Sequence, residues 1–218
     1  MTSEQELKAL AAQLRHPSGE KGVEIANMMN ETNIGMTNHA VRCLNIHKAD
    51  MILELGHGNA RHVESLFQQY NNIHYYGLEM SELMNEEARK INQVFIANKQ
   101  AHFYLYAGKQ FPFAGDLFDK IFTVNTIYFW EEPQETIGEL YRVIKPGGRL
   151  CITLALESFM QQLPFTQFGF ELYNIKKIEK LIAFTSFRIS NIETALENVK
   201  TKTGEVVERE FVSVVVEK

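Results

Sequence analysis

From Met51 onward the chain alternates apolar, strand-like runs with stretches of helical apolar periodicity, and that alternation leaves few folds open. Parallel strands joined by right-handed helical crossovers are the arrangement it dictates. The first run, Met51-Ile52-Leu53-Glu54-Leu55, breaks at Gly56-His57-Gly58 and leads into a helix marked by Val63, Leu66, Phe67 and Tyr70. Glycines at 56 and 58 permit a tight turn and let the backbone come into contact with a ligand above the strand end.

Glu79 follows Gly58 by 21 residues, at the close of a second run, Ile73-His74-Tyr75-Tyr76-Gly77-Leu78. A carboxylate there can accept from both hydroxyls of a ribose, so the expected ligand is a nucleoside. Charge selects among nucleosides. A dinucleotide site wants a third glycine at position 61 and amide N–H groups facing the pyrophosphate; this chain has Arg61. Glu54, two residues before the first glycine, would repel a pyrophosphate but attract an ammonium or sulfonium group. S-adenosylmethionine carries both cations and no phosphate.

The chain resembles the class I S-adenosylmethionine-dependent methyltransferases, in particular the type 11 branch that includes quinone C-methyltransferases. The resemblance runs over about residues 34–216 and rests on four segments in family order. These are Glu54-Leu55-Gly56-His57-Gly58, the acidic Glu79, Phe111-Pro112-Phe113 with Phe118-Asp119, and Arg142-Val143-Ile144-Lys145-Pro146-Gly147-Gly148. It implies a Rossmann-like, doubly wound α/β fold whose seven-stranded sheet is mostly parallel and ends in a C-terminal antiparallel hairpin. It also implies S-adenosylmethionine as cofactor and S-adenosylhomocysteine as product.

Carried over residue by residue, the resemblance gives the methionine ammonium to Glu54 and the methionyl tail to the Gly56-His57-Gly58 turn. It gives the ribose to Glu79, packs Met80 on adenine, and borders adenine with Gly108 and Lys109. Asn125 and Tyr128 follow the fourth strand, where oxygen atoms would sit near the sulfonium. His39, His57 and Tyr128 are the candidates for a general base, needed only if the acceptor is a poor nucleophile. Two positions depart from the family: Ala60 replaces a frequent third glycine, and Ala107 stands where an aspartate commonly accepts from the adenine amino group.

At 218 residues and 45% hydrophobic, the chain can bury one large core. The expected division is an N-terminal helical lid over residues 1–48 and a cofactor-binding domain over 49–218. In the lid, Ser3 and Glu6 form a possible capping box ahead of Leu7, Leu10, Ala11 and Leu14. A second short helix carries Ile25, Met28 and Met29, and a third runs from Thr37 to about Asn45. Later helices are marked by Met84, Ala88, Ile91 and Phe95, by Pro133 to Ile144 and by Ile175 to Ile182, with Pro146-Gly147-Gly148 ending the second of these. The closing hairpin turns at Lys202-Thr203-Gly204.

The net charge of −5, from 22 basic and 27 acidic residues without a basic cluster, argues against nucleic acid as the main partner. A polar, acidic amino terminus and the lack of a long apolar run lead to the expectation of a cytoplasmic protein without integral membrane association. Cys43 and Cys151 are expected as reduced core residues. The histidines show no spacing that brings in other metal ligands, so no metal site is expected. The expected partner is a small-molecule methyl acceptor, for a monomer or homodimer. The alternative is a non-catalytic S-adenosylmethionine-binding protein that acts through a partner.

Overall fold

The computed structural model of the protein describes residues 3–200 and 206–218. Helix α1 (Glu4–Arg15) begins at the predicted capping box: the Ser3 hydroxyl accepts from the Glu6 amide, and the Glu6 carboxylate accepts from the Ser3 amide at 2.6 Å. Helix α2 (Gly19–Cys43) is one continuous helix of 25 residues, not the two separate stretches expected. No proline interrupts it, and each interior glycine costs only about 1 kcal/mol against alanine. Burial of Ile25, Ala26, Met36, Ala40 and Val41 outweighs that.

Seven strands follow: β1 (Met51–Leu55), β2 (His74–Glu79), β3 (Ala101–Leu105), β4 (Phe118–Val124), β5 (Ile144–Ala155), β6 (Arg188–Lys200) and β7 (Val206–Glu217). Their order across the sheet is β3-β2-β1-β4-β5-β7-β6. The first five are parallel, and β7 runs antiparallel to both β5 and β6. The crossovers are α3 (Val63–Gln69), α4 (Glu82–Ile91) with α5 (Gln93–Ala97), and α6 (Pro133–Val143). The short α7 (Glu157–Met160), a 3₁₀ turn (Pro164–Gln167) and α8 (Ile175–Ile182) connect β5 to β6.

Strand periodicity sends alternate residues to opposite faces, and each face has its own core. Ile52, Phe122, Cys151 and Val215 pack on one side with Val41, Val63 and Ala88. Their chain neighbours Leu53, Ile121, Ile152 and Val214 pack on the other with Ile137, Leu140 and Ile178. Cys43 and Cys151 are free thiols, the second fully buried in β5.

Helix α6 ends at Val143, before the Pro146-Gly147-Gly148 segment expected to end it. That segment lies instead within β5, in an irregular stretch between the Phe118–Ile144 and Lys120–Arg149 pairs. A bulge tolerates the proline and the φ of 76° at Gly147 because the ladder is locally interrupted. The turn at Lys202-Thr203-Gly204 lies outside the described residues. No helix among those described is long and apolar enough to cross a membrane.

The chain winds from β1 through β2 to β3 on one side and from β4 to β5 on the other. The crevice where these directions part, at the carboxyl ends of β1 and β4, is where an open α/β sheet admits a ligand.

Candidate functional site

That crevice is a cavity of ≈ 420 Å³, closed on one side by the glycine turn and on the other by α1, α2 and the connection after β5. Gly56 and Gly58 have φ of 77° and 56°. A Cβ on Gly56 would collide with the Thr126 methyl, whereas one on Gly58 would meet nothing within 4 Å. Packing and backbone both demand the first glycine; backbone alone demands the second. Ala60 shares the left-handed conformation, at φ 50°, which costs an L-residue roughly 1–2 kcal/mol. The family's third glycine would sit there without strain.

Glu79 is held by the turn it serves. One carboxylate oxygen accepts the Gly58 amide at 3.0 Å, and the other accepts the Met80 and Ser81 amides at 2.8 and 3.0 Å. Ser81 in turn caps α4 and donates to the Pro17 carbonyl at 2.6 Å. The carboxylate therefore sits where the glycine turn, the start of α4 and the α1–α2 connection meet.

Glu54 is buried and has donors of its own: the Tyr75 hydroxyl, and His62 Nε2 at 2.7 Å, both on Oε2. Burial, and then the Glu54 charge, push the Tyr75 phenol well above its usual pKa, so it remains a donor. An external cation is thus not what Glu54 requires in order to be buried. His62 and Tyr75 escaped the sequence reading because only the fold brings α3 and β2 beside the end of β1.

His57 contributes to the wall, but its ring is turned into the protein. Nδ1 donates to the Gly58 carbonyl at 2.7 Å, and the ring meets Phe103 edge-on at 5.1 Å. Gly77 makes the room: a Cβ there would come within 2.5 Å of the ring. Nε2 is buried without a partner. Burial lowers the ring's pKa, and the inward turn of the ring leaves Nε2 buried rather than facing the cavity.

Tyr128 and Asn125 line the cavity with their polar atoms already engaged. The Tyr128 hydroxyl donates to the Ala155 carbonyl at 2.7 Å and approaches Asn125 Oδ1 at 3.1 Å. Burial raises its pKa well above the usual range, so it is no base. Asn125, at φ 57°, accepts the Ala155 amide on Oδ1 and donates from Nδ2 to Asn33 and Met36. It ties β4 to β5 and α2 rather than offering a free oxygen.

His39 is absent from the wall. It lies under β7, with Nδ1 2.9 Å from the Ser213 hydroxyl and its ring edge-on to Phe211. Lys109 is exposed and also off the wall. Met80 and Gly108, expected beside adenine, line the cavity together with Tyr106, and a Cβ on Gly108 would meet the Met80 methyl at 2.9 Å.

The opposite end is apolar. Leu10, Leu14, Met28 and Met29 face Phe129, Trp130, Phe159, Leu163, Phe165 and Phe170. Phe170 anchors the aromatic group, with ring centroids 4.6 Å from Phe129 and 5.7 Å from Phe165. Helix α1 packs on the Pro164–Gln167 turn, Lys8 lies over the Phe168 ring, and Arg15 pairs with Glu131 at 2.6 Å. Arg209 was missed from the sequence. Its buried guanidinium holds Glu197 at 2.6 Å, the Thr32 carbonyl at 2.6 Å and Asn33 at 3.2 Å. Its alternation with Phe211 and Ser213 on β7 is the signal that it points inward.

Residues 53–152 match the family described as methyltransferase domain. The chain is 27% identical over 128 residues to YdaC, an uncharacterized methyltransferase of Bacillus subtilis, over 58% of this chain and 68% of that one. Its fold is similar, at a TM-score of 0.74 and 16% identity, to a chain in the complex between the Haloferax volcanii methyltransferase activator Trm112 and a methyltransferase, with 97% of both chains covered. It is similar at a TM-score of 0.70 and 16% identity to Haemonchus contortus phosphoethanolamine N-methyltransferase 2, solved with S-adenosyl-L-methionine, over 97% of this chain and 60% of that one.

Proposed function

We propose, from a chain whose residues 53–152 match a methyltransferase domain and whose sheet has the order β3-β2-β1-β4-β5-β7-β6, that it moves the methyl group of S-adenosylmethionine to a small, partly apolar or aromatic molecule. The observation that carries the reading is one continuous cavity with two carboxylates and a glycine turn at one end and an aromatic wall at the other.

In this reading Glu79 takes the ribose hydroxyls on lone pairs that its three amide bonds leave over. Glu54 has Oε1 left for the methionyl ammonium, since Tyr75 and His62 both use Oε2. Neutral His57 places no positive charge beside the sulfonium. Met80, Tyr106 and Gly108 enclose adenine. The acceptor lies among the aromatic residues, in line with the methyl and sulfur, and displacement at the methyl carbon breaks its bond to sulfur as the new bond forms. The chain contributes alignment and exclusion of water. The Tyr128 hydroxyl is hydrogen-bonded, His39 is off the wall and the His57 ring is turned into the protein, so in this reading the acceptor supplies its own nucleophile.

Incubation with methyl-labelled cofactor and a fractionated cell extract tests the reading. Label in a small, solvent-extractable molecule is the expected result. Label confined to protein or nucleic acid would overturn it, and cofactor binding without any labelled product would favour a non-catalytic binding protein.

A further inference from the structure

We infer that the chain carries a divalent-metal site of the zinc class, separate from the cavity, formed by His39, Cys43 and Glu193. Thr153, Ser213 and Glu193 are register partners across β5, β7 and β6, which puts them in one row on one face of the sheet. The last turns of α2 cross that row. His39 and Cys43, four residues apart, share a helix face and both meet it.

The distances suit one ion. His39 Nε2 lies 3.5 Å from Glu193 Oε2, Cys43 Sγ lies 3.8 Å from the same oxygen, and one ligand atom from each of the three residues falls within 4.8 Å of the others. Zinc bonds of about 2.0 to 2.3 Å in a tetrahedron set ligand-to-ligand edges of roughly 3.3 to 3.8 Å. Two edges already fit those values; Cys43 Sγ lies 3.4 Å from His39 Nδ1 and has to swing toward Nε2 to complete the site.

Two of the three donors are also oriented by a neighbour. His39 Nδ1 contacts the Ser213 hydroxyl at 2.9 Å, and Ser213 contacts Thr153 at 2.7 Å, which leaves Nε2 for the ion. Glu193 Oε1 accepts from Asn191 at 2.6 Å, which leaves Oε2. Such outer contacts fix ring and carboxylate orientation in metal sites. The Glu193 side chain is 44% exposed, so the ion can enter and keep a water as fourth ligand. On binding, the Cys43 thiol gives its proton to solvent and the sulfur ligates as thiolate. Imidazole, thiolate and carboxylate together favour zinc over a hard cation such as magnesium. The ion would tie the end of α2, whose earlier turns wall the cavity, to the closing hairpin.

Cobalt(II) is the probe, because a thiolate ligand gives it a charge-transfer absorption. The full chain should bind about one equivalent with that absorption, and zinc(II) should displace it. Cys43→Ser should abolish the absorption. Glu193→Gln, at a part-exposed position where the fold tolerates change, should weaken zinc binding at least ~10-fold, and Ser213→Ala should weaken it by about 10- to 100-fold. Zinc should raise the melting temperature of the parent chain and not of Glu193→Gln. Absence of the thiolate absorption in the parent, its persistence in Cys43→Ser, or equal zinc affinity in parent and Glu193→Gln would overturn the site.

Discussion

Glu79 accepts the Gly58 amide at 3.0 Å, so the acidic end of β2 holds the glycine turn that ends β1. With the Met80 and Ser81 amides on its other oxygen, the carboxylate is both a ribose acceptor and a brace for the loop. Glu79→Ala should weaken cofactor binding by roughly 1.5 to 3 kcal/mol, the range for hydrogen bonds to a charged group. It should also lower folding stability by about 2 kcal/mol, because three amides lose their acceptor. Calorimetric titration and denaturant unfolding on one preparation check both; unchanged affinity would remove Glu79 from the cofactor site.

Helix α1 covers the aromatic end of the cavity but buries only Ala11 fully, whereas α2 is built into the core through Ile25, Met36, Ala40 and Val41. Deleting residues 1–15 should therefore leave a folded chain that binds cofactor and has lost most turnover, since water then enters the acceptor end. A deletion through residue 30 cuts α2 and should unfold the chain. Full turnover in the shorter deletion would show that α1 is no lid.

Burial, as the leading cause, holds both His57 and His39 below the ordinary histidine pKa of 6.5. A group whose folded pKa is depressed binds fewer protons folded than unfolded, so its contribution is complete above 6.5 and is lost as the pH falls through the folded value. The lowered carboxylate of Glu139 acts only below its ordinary 4.5. As the pH falls below 6.5, stability should fall by no more than the one-proton limit of about 1.4 kcal/mol per pH unit for each histidine. His57→Asn keeps a donor for the Gly58 carbonyl and should make that slope shallower; urea midpoints across the range measure it, and an unchanged slope would mean His57 titrates normally.

Arg142 joins two of the sequence motifs in space. It pairs with both Glu139 oxygens at 2.7 Å and donates to the Phe113 and Phe111 carbonyls at 2.8 and 3.2 Å. Arg142→Ala should cost roughly 2 to 3 kcal/mol of stability and change cofactor affinity far less than Glu79→Ala does. Thermal unfolding and titration separate the two effects; equal loss of affinity would place Arg142 in the site.

What was legible in the sequence is what local pattern controls. Apolar runs placed β1, β2 and the closing hairpin, and the capping box placed α1. The continuity of α2 was not legible, because Glu31, Thr32 and Asn33 interrupt its apolar stripe where one helix passes from the cavity to the sheet. At the site, the glycine turn and the two carboxylates could be read from spacing. The buried partners could not: His62 and Tyr75 on Glu54, Ser213 beside His39, and Arg209 beneath α2 are set by tertiary contact. The four-residue spacing of His39 and Cys43 is visible in the sequence, but Glu193 joins them only through the pairing of β6 with β7, so the expectation of no metal site gives way to a candidate one.

The central claim is that two carboxylates flanking a glycine turn select a cationic nucleoside over a phosphorylated one. Calorimetric titration of the full chain with S-adenosylmethionine, S-adenosylhomocysteine and a nicotinamide dinucleotide tests it directly. Saturable binding of the first two at about one per chain, with no response to the dinucleotide, is the predicted result; dinucleotide binding with no response to S-adenosylmethionine would contradict it.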